Sequence, residues 1–246
     1  MDAYLDYNAT TPVAEEVKEA MIPWFSEKFW NASSSHNGGR TANDAVENAR
    51  QQIADLIGAN PSEIFFTSGS TESINLAIKG TFLPDENPGS FLTSQTEHKA
   101  VLDTASVLSQ NGIDSHLLPV NELGEVQIQE LSNIETTNPK LVSFMAANNE
   151  TGVITDLDKL VTHSKEIGAL FHCDATQAIG KIDFDVEDLN IDMASISAHK
   201  MYGPKGVGAL YCRRGAHINS LIDGGGHEKG LRSGTLNVPG IVGFGM

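Results

Sequence analysis

The sequence predicts an α/β protein built on a doubly wound, mostly parallel sheet of seven strands with helices on both faces. Short apolar runs alternate regularly with stretches of helical period, the pattern of strand–helix units that pair strands in parallel. Two of the runs, 141–147 and 169–173, are apolar almost throughout, as expected of central strands covered on both sides. No internal repeat, low-complexity tract or Pro/Gly linker divides the 246 residues, which at roughly 150 residues per domain make one to two domains.

Residues 1–15 read as an extended lead-in segment and 31–43 (NASSSHNGGRTAN) as an exposed loop. Ala45, Val46, Ala49, Ile53, Leu56 and Ile57 recur at helical spacing, with Gly58 and Pro61 as stop signals. EIFFT at 63–67 then makes the first strand. Further strands are predicted at 90–93, 115–119, 141–147, 169–173, 193–198 and 207–212, and helices at 71–80, 98–110, 125–132 and 156–167. Three glycines at 224–226 mark another loop. From Val238 a helix begins and reaches Met246 without a C-terminal cap or polar tail, so the ending reads as cut.

Thirty-two acidic side chains stand against 16 basic ones, a formal net charge of −16. The summed field repels phosphate backbones and anionic lipid, and no local basic patch offsets it, so neither nucleic acid nor membrane is an expected partner. No apolar run approaches the roughly 20 residues of a membrane span, and MDAYLDYNATTPV lacks the basic and apolar regions of a signal peptide. Two cysteines, Cys173 and Cys212, are no disulfide framework. A soluble cytoplasmic protein is the expectation.

In open α/β sheets ligands bind beyond the carboxyl ends of the strands, and the residues at those points are polar here. After the first strand, SGST (68–71) leads straight into a helix, offering backbone N–H groups, hydroxyls and the positive end of the helix to an anion such as phosphate. Taken alone, the segment fits an ordinary helix N-cap with Glu72 nearby better than an anion site. Asn148, Asn149 and Glu150 follow the 141–147 strand, Asp174 and Gln177 the 169–173 strand, His199 and Lys200 the 193–198 strand. A lysine amine at a strand end can form a Schiff base with an aldehyde if burial and nearby cations lower its pKa; singly, Lys200 reads as a solvated lysine before the Gly203-Pro204 turn. Asp174 could hold the proton on a pyridinium nitrogen or serve as a turn residue before Ala175 and Thr176. His98, opening EHKAVL, either stacks on a ring or starts a helix by bonding to backbone. Pyridoxal phosphate (PLP) needs an amine, a carboxylate and a phosphate cup, and together these residues describe it. No GxxxxGK[ST] is present, and the 224–226 glycines do not join a strand to a helix as a nucleotide loop should. The eight histidines show no HExxH and the cysteines no Cys-x-x-Cys, so no metal is expected.

Seven segments in register, DYNATTPV, FFTSGSTESINLAIKG, TEHKAV, ANNETGV, HCDATQAIGK, SAHKMYGPKGVGALY and GGGHEKGLRSGTLNV, span the chain from Leu5 to Gly245. They resemble the cysteine desulfurases of the NifS/IscS type, within the class V group of PLP-dependent aminotransferase-fold enzymes. RSGTLNV resembles that branch rather than the SufS-like branch or the selenocysteine lyases. The resemblance implies an aminotransferase-like PLP-binding large domain over 16–246, with 1–15 as a lead-in associated with a small domain. It further implies that Lys200 is the Schiff-base lysine, Asp174 the partner of the pyridinium nitrogen, and His98 a ring-stacking residue that assists proton transfer. Ser70, Thr71, Ser197 and His199 would bind the phosphate, Gln177 the phenolic oxygen, and Asn149 would sit where that oxygen meets the substrate carboxylate. Thr235 would reach the phosphate of a neighbouring subunit, in a homodimer. The implied reaction converts L-cysteine to L-alanine, with sulfur leaving as an enzyme persulfide for sulfur-acceptor or scaffold proteins that serve iron–sulfur clusters and thiolation.

In that family the persulfide-forming cysteine and the arginine that clamps the substrate carboxylate lie in a C-terminal small domain, which the sequence to Met246 is expected to lack. Cys173 reads as a small core residue. Cys212, flanked by Arg213 and Arg214, has cations that could lower a thiol pKa but does not match the position of the family's nucleophile. Two other readings follow from this shortfall: a catalytically incomplete PLP-binding or dimerising scaffold, and another class V reaction such as transamination.

Overall fold

The computed structural model describes residues 3–83, 89–133 and 138–246. The predicted alternation folds into one sheet of seven strands: β1 (Ile64–Thr67), β2 (Ser90–Ser94), β3 (Asp114–Leu118), β4 (Pro139–Met145), β5 (Leu170–Asp174), β6 (Met193–Ser197) and β7 (Gly208–Cys212). Their spatial order is β1-β7-β6-β5-β4-β2-β3. β7 is antiparallel to both its neighbours and the other pairings are parallel, so all strands but β7 point the same way.

The helices are α1 (Glu15–Met21), α2 (Pro23–Ser26), α3 (Asn37–Ile57), α4 (Ser70–Phe82), α5 (Lys99–Gln110), α6 (Leu157–Glu166) and α7 (Val238–Gly245). Alternation along the strands sends one set of side chains to each face. Phe91, Leu141, Met193 and Leu210 pack with Ile74 and Ile78 of α4 and Val101 and Leu108 of α5. On the other face Phe144 and Phe171 stack at 6.4 Å and pack with Val46 and Ile53 of α3, Leu160 of α6 and Ile241 of α7. Each such fully buried side chain contributes roughly 1.5–3 kcal/mol, so both layers are held to the sheet by apolar burial rather than by polar links.

Three departures from the sequence reading have local causes. The loop predicted over 31–43 becomes helix from Asn37, because His36 caps α3 by accepting from Gly39 N–H at 3.1 Å. The glycines that suggested a loop are there for packing: a Cβ on Gly39 would sit 2.1 Å from Ser34 O, and one on Gly38 2.4 Å from the Trp30 ring. The helix predicted over 125–132 is instead a short 3-10 turn over Ile128–Asn133. Asn121 Oδ1 accepts from Leu123 and Glu125 N–H, Gly124 takes φ 84°, and Val120 bridges Val126, so the local turn outcompetes a helix. The third departure is α1 and α2, which the sequence reading did not single out. α1 lies against α7 through Val17 and Met21, which would both touch a Cβ placed on Gly243, and Trp24 of α2 joins the same apolar core.

Candidate active site

The carboxyl ends of the parallel strands, with the start of β7, open onto a cavity of about 490 Å³. Its walls include Ser70, Thr71, His98, Asn149, Asp174, Gln177, His199 and Lys200, eight of the ten predicted residues. The other two are placed elsewhere. Ser197 ends β6 buried behind the wall, and Thr235 is exposed on the loop before α7.

Backbone geometry brings these groups together. β1 ends at Thr67 and turns through Gly69, φ 148°, into α4, whose first residues Ser70 and Thr71 face the cavity. No side chain caps this end; the N-cap is Gly69, and Glu72 accepts instead from Ser68 N–H at 2.8 Å. The ordinary Ser/Thr cap that the segment alone suggested is therefore not made, and the N-terminal N–H groups and helix dipole are turned toward the cavity. β7 passes so close to this turn that a Cβ on Gly208 would lie 2.6 Å from Gly69 Cα and 2.5 Å from Ile196 O. Asp174 is the last residue of β5 itself, where its Oδ1 accepts from Thr176 N–H at 3.0 Å. His98 starts α5 as one of its two readings had it, Nδ1 accepting from Ala100 N–H at 3.0 Å, and the residue also lines the cavity.

The lead-in segment closes one side of the cavity. Lys200 Nζ donates to the carbonyls of Asn8 and, at 3.0 Å, Ala9. Gln177 Nε2 donates to Asn8 O at 2.8 Å, and Thr11 N–H donates to His199 O at 3.0 Å. His199 Nδ1 lies 3.1 Å from Thr10 Oγ1. The sequence named none of Asp6, Asn8, Ala9 or Thr176 for the site, although the segments DYNATTPV and HCDATQAIGK contain them.

Burial sets the electrostatics. Desolvation, with the nearby Lys181 cation, holds the Lys200 amine below the ordinary lysine range, the direction that makes a nucleophile. Desolvation raises Asp174, opposed by its hydrogen bond from Thr176 and the charges of His98 and Lys200. Burial also lowers His199. Glu97, beside His98 in sequence, is pushed up to about 8 by burial and by Asp174. Its Oε1 accepts from Met145 N–H at 3.0 Å and Ser94 Oγ at 3.1 Å, whereas Oε2 is buried without a partner. The cysteines are not activated. Cys173 is fully buried and its thiol is raised by desolvation and the charges of Asp174 and Glu97. Cys212 is pushed up to about 12 by burial, Glu63 and Asp192, so the flanking arginines do not lower it as their proximity in sequence suggested.

A mostly parallel sheet that gathers a desolvated lysine, a buried carboxyl and an open helix N-terminus at its strand ends defines an α/β protein with a cofactor cavity. The particular kind follows from comparison: residues 3–246 match the Aminotransferase class-V family model, and the chain belongs to that family. A "Cysteine desulfurase IscS" from Anaeromyxobacter sp. (strain Fw109-5) is 53% identical over 246 residues, covering 98% of this chain and 61% of that protein. Among solved structures, a "NIFS-LIKE PROTEIN" superposes with a TM-score of 0.97 at 47% identity, covering 100% of this chain and 68% of its own. "SspA in complex with cysteine" superposes at 0.96 with 45% identity, covering 99% and 71%. The chain spans about 61% of the length of the curated relatives it matches.

The family uses PLP, and the cavity fits it. PLP carries an aldehyde, a ring nitrogen, a phenolic oxygen and a phosphate. The donor set here supplies an amine, a carboxyl, amides and a helix N-terminus. Thr176 Oγ1, buried at the cavity wall without a protein partner, and the close approach permitted by Gly208 are the further marks of a site shaped for a polar guest.

Proposed function

We propose that residues 16–246 are the PLP-binding large domain of a cysteine desulfurase that acts on L-cysteine, and that residues 1–15 are its lead-in segment. The observation that supports it most directly is the meeting of Lys200, Asp174 and the α4 N-terminus in one cavity of a chain about half identical to cysteine desulfurases. When bound, PLP supplies an electron sink that stabilises negative charge at the substrate α-carbon.

The chain's own residues do the rest. Lys200 Nζ, its pKa lowered by burial, is the amine that would hold the cofactor aldehyde. Asp174, buried at the end of β5, holds the proton of the ring nitrogen; that cation in turn favours the carboxylate that burial alone disfavours. His98, with Nδ1 committed to α5, would lie against the ring and offer Nε2 as its proton-carrying atom. Ser70, Thr71, Ser197 and His199 with the α4 terminus take the phosphate. Gln177 and Asn149 take the phenolic oxygen and the substrate carboxylate. Thr235, exposed beyond the cavity, is free to serve the phosphate of a second subunit in a homodimer.

Sulfur transfer to acceptor or scaffold proteins for iron–sulfur and thiolation chemistry needs a thiolate. Both thiols within these residues are buried and raised, which supports a persulfide-forming thiolate other than Cys173 or Cys212. The same observation favours a second reading, a PLP-binding or dimerising scaffold that does not turn over by itself. No helix among the described residues is long and apolar enough to cross a membrane, and a cytoplasmic setting suits the reading.

Titration with PLP followed by addition of L-cysteine tests this. A visible band of lysine-bound PLP, altered by L-cysteine and lost in Lys200→Ala at unchanged circular dichroism, is expected. Absence of the band in the unsubstituted protein would overturn the cofactor reading. Pyridoxamine phosphate accumulating without alanine or sulfide would assign transamination instead.

A further inference from the structure

Below the cavity floor, on the sheet face that carries Asp174, lies a row of polar side chains with no access to solvent. His172 of β5 is fully buried, two residues before Asp174 and therefore on the same face. Its Nδ1 lies 2.8 Å from Ser143 Oγ on β4, and its Nε2 lies 2.8 Å from Ser195 Oγ on β6. Ser143 and Ser195 are both fully buried as well. Thr93 of β2 extends the row by donating to Ser143 O at 2.8 Å. Ser195 is also the register partner of Asp174, and Met145, two residues after Ser143, is its register partner on the other side. The row thus ties together the three strands whose ends surround the Asp174 carboxyl.

Packing alone does not call for it. The same face is otherwise apolar: Leu141 and Leu170 lie one register step below the row, Met193 is the register partner of His172 and Leu210 that of Ser195. Burying an imidazole and two hydroxyls costs desolvation that hydrogen bonds only about offset, whereas aliphatic side chains would pack there without that cost. Burial lowers the His172 pKa to about 3, so the ring is neutral and adds no charge beneath Asp174. A neutral imidazole has one donor and one acceptor nitrogen, and the two flanking hydroxyls can rotate to satisfy both.

We propose that His172 is a positioning residue for Asp174: bonded to Ser143 on one side and Ser195 on the other, it locks the end of β5 in register and floors the carboxyl with oriented dipoles instead of hydrocarbon. The charges facing Asp174 from above and beside it come from Glu97 and His98 on the loop after β2 and Lys200 after β6. The row below supplies the polar surroundings from the remaining side. The inference rests on the reading that Asp174 serves the ring nitrogen of PLP.

The test uses the PLP-loaded protein and two readouts, the PLP dissociation constant and the pH midpoint of the visible band, with thermal melting followed in parallel. In His172→Phe, Asp174 meets an apolar floor and its carboxylate is disfavoured, so the ring nitrogen loses its proton. The nitrogen at Lys200 then becomes more basic, because a neighbouring positive charge has gone. PLP binding is expected to weaken about tenfold and the midpoint to rise by about half a unit or more. His172→Gln, which can bond to both serines, should restore both readouts. If the Phe variant does not fold, Ser143→Ala with Ser195→Ala removes the rungs from outside β5 and should move both readouts in the same direction. Wild-type affinity and midpoint in these variants, with only a lower melting temperature, would reduce the row to packing and overturn the proposal. A wild-type protein that shows no visible band on PLP addition would overturn the PLP reading itself, and the inference with it.

Discussion

Glu97 shows how much chemistry one burial decision concentrates. Its carboxyl sits where Met145 N–H and Ser94 Oγ reach Oε1, with Oε2 unpartnered and Asp174 nearby, so the fold favours the protonated form. The folded pKa of about 8 stands above the ordinary value of 4.5. The contribution to stability is therefore complete below about pH 4.5 and is lost as pH rises toward about 8. Glu97→Gln, which cannot ionise, should remove this loss: it is expected to be more stable than wild type at pH 8 and close to it at pH 5, as measured by urea unfolding at both values. His172 has the opposite sign. Its folded pKa of about 3 lies below the ordinary 6.5, so stability falls as pH drops through and below 6.5, and His172→Gln should flatten that limb of the same curve. Lys200 behaves as its position in sequence allowed but did not require, since its lowered pKa comes from burial and from Lys181, a neighbour in space.

Among the elements, the segment that carries Thr235 is held by an ion pair far from the chemistry. Glu228, at φ 48°, is buried and accepts from Arg50 Nη1 and Nη2 of α3 at 2.8 Å each, and from Phe66 N–H of β1 at 2.7 Å. A few residues on, Arg232 Nε bonds Glu72 in the first turn of α4 at 2.7 Å. The loop is thus clamped to α3 and to both sides of the β1–α4 turn. Removing one partner of a buried pair strands the other charge, so Arg50→Ala is expected to cost about 3–5 kcal/mol in denaturant unfolding. Arg232→Ala, at a half-buried pair, should cost about 1 kcal/mol or less while loosening the loop to proteolysis. The strands and long helices were legible because burial on one face writes a period of two or of 3.6 into the chain. Helix α3 was read short by eight residues at its start, since the two glycines at 38 and 39 signal a turn in one dimension and a close contact in three.

Over the whole molecule, the thiol inventory has a direct consequence. Cys173 and Cys212 should resist a thiol reagent in the native state and react only on unfolding, and Cys173→Ser with Cys212→Ser should leave PLP binding within about twofold of wild type. Reaction of either thiol at native rates would contradict the burial that withholds them from sulfur transfer. The alternation of apolar runs and helical periods was enough to call for a seven-stranded, mostly parallel sheet with helices on both faces. The polar residues that follow each run were enough to name most of the cavity wall, because strand ends are where backbone exposure and side-chain chemistry coincide. Tertiary structure alone decided the reversal of β7, the lead-in carbonyls on Lys200, the carboxyl of Glu97 and the His172 row. Each of these joins residues distant along the chain, and whether a lysine is uncharged or a carboxyl protonated depends on what surrounds it after folding, a property of burial that no local pattern encodes.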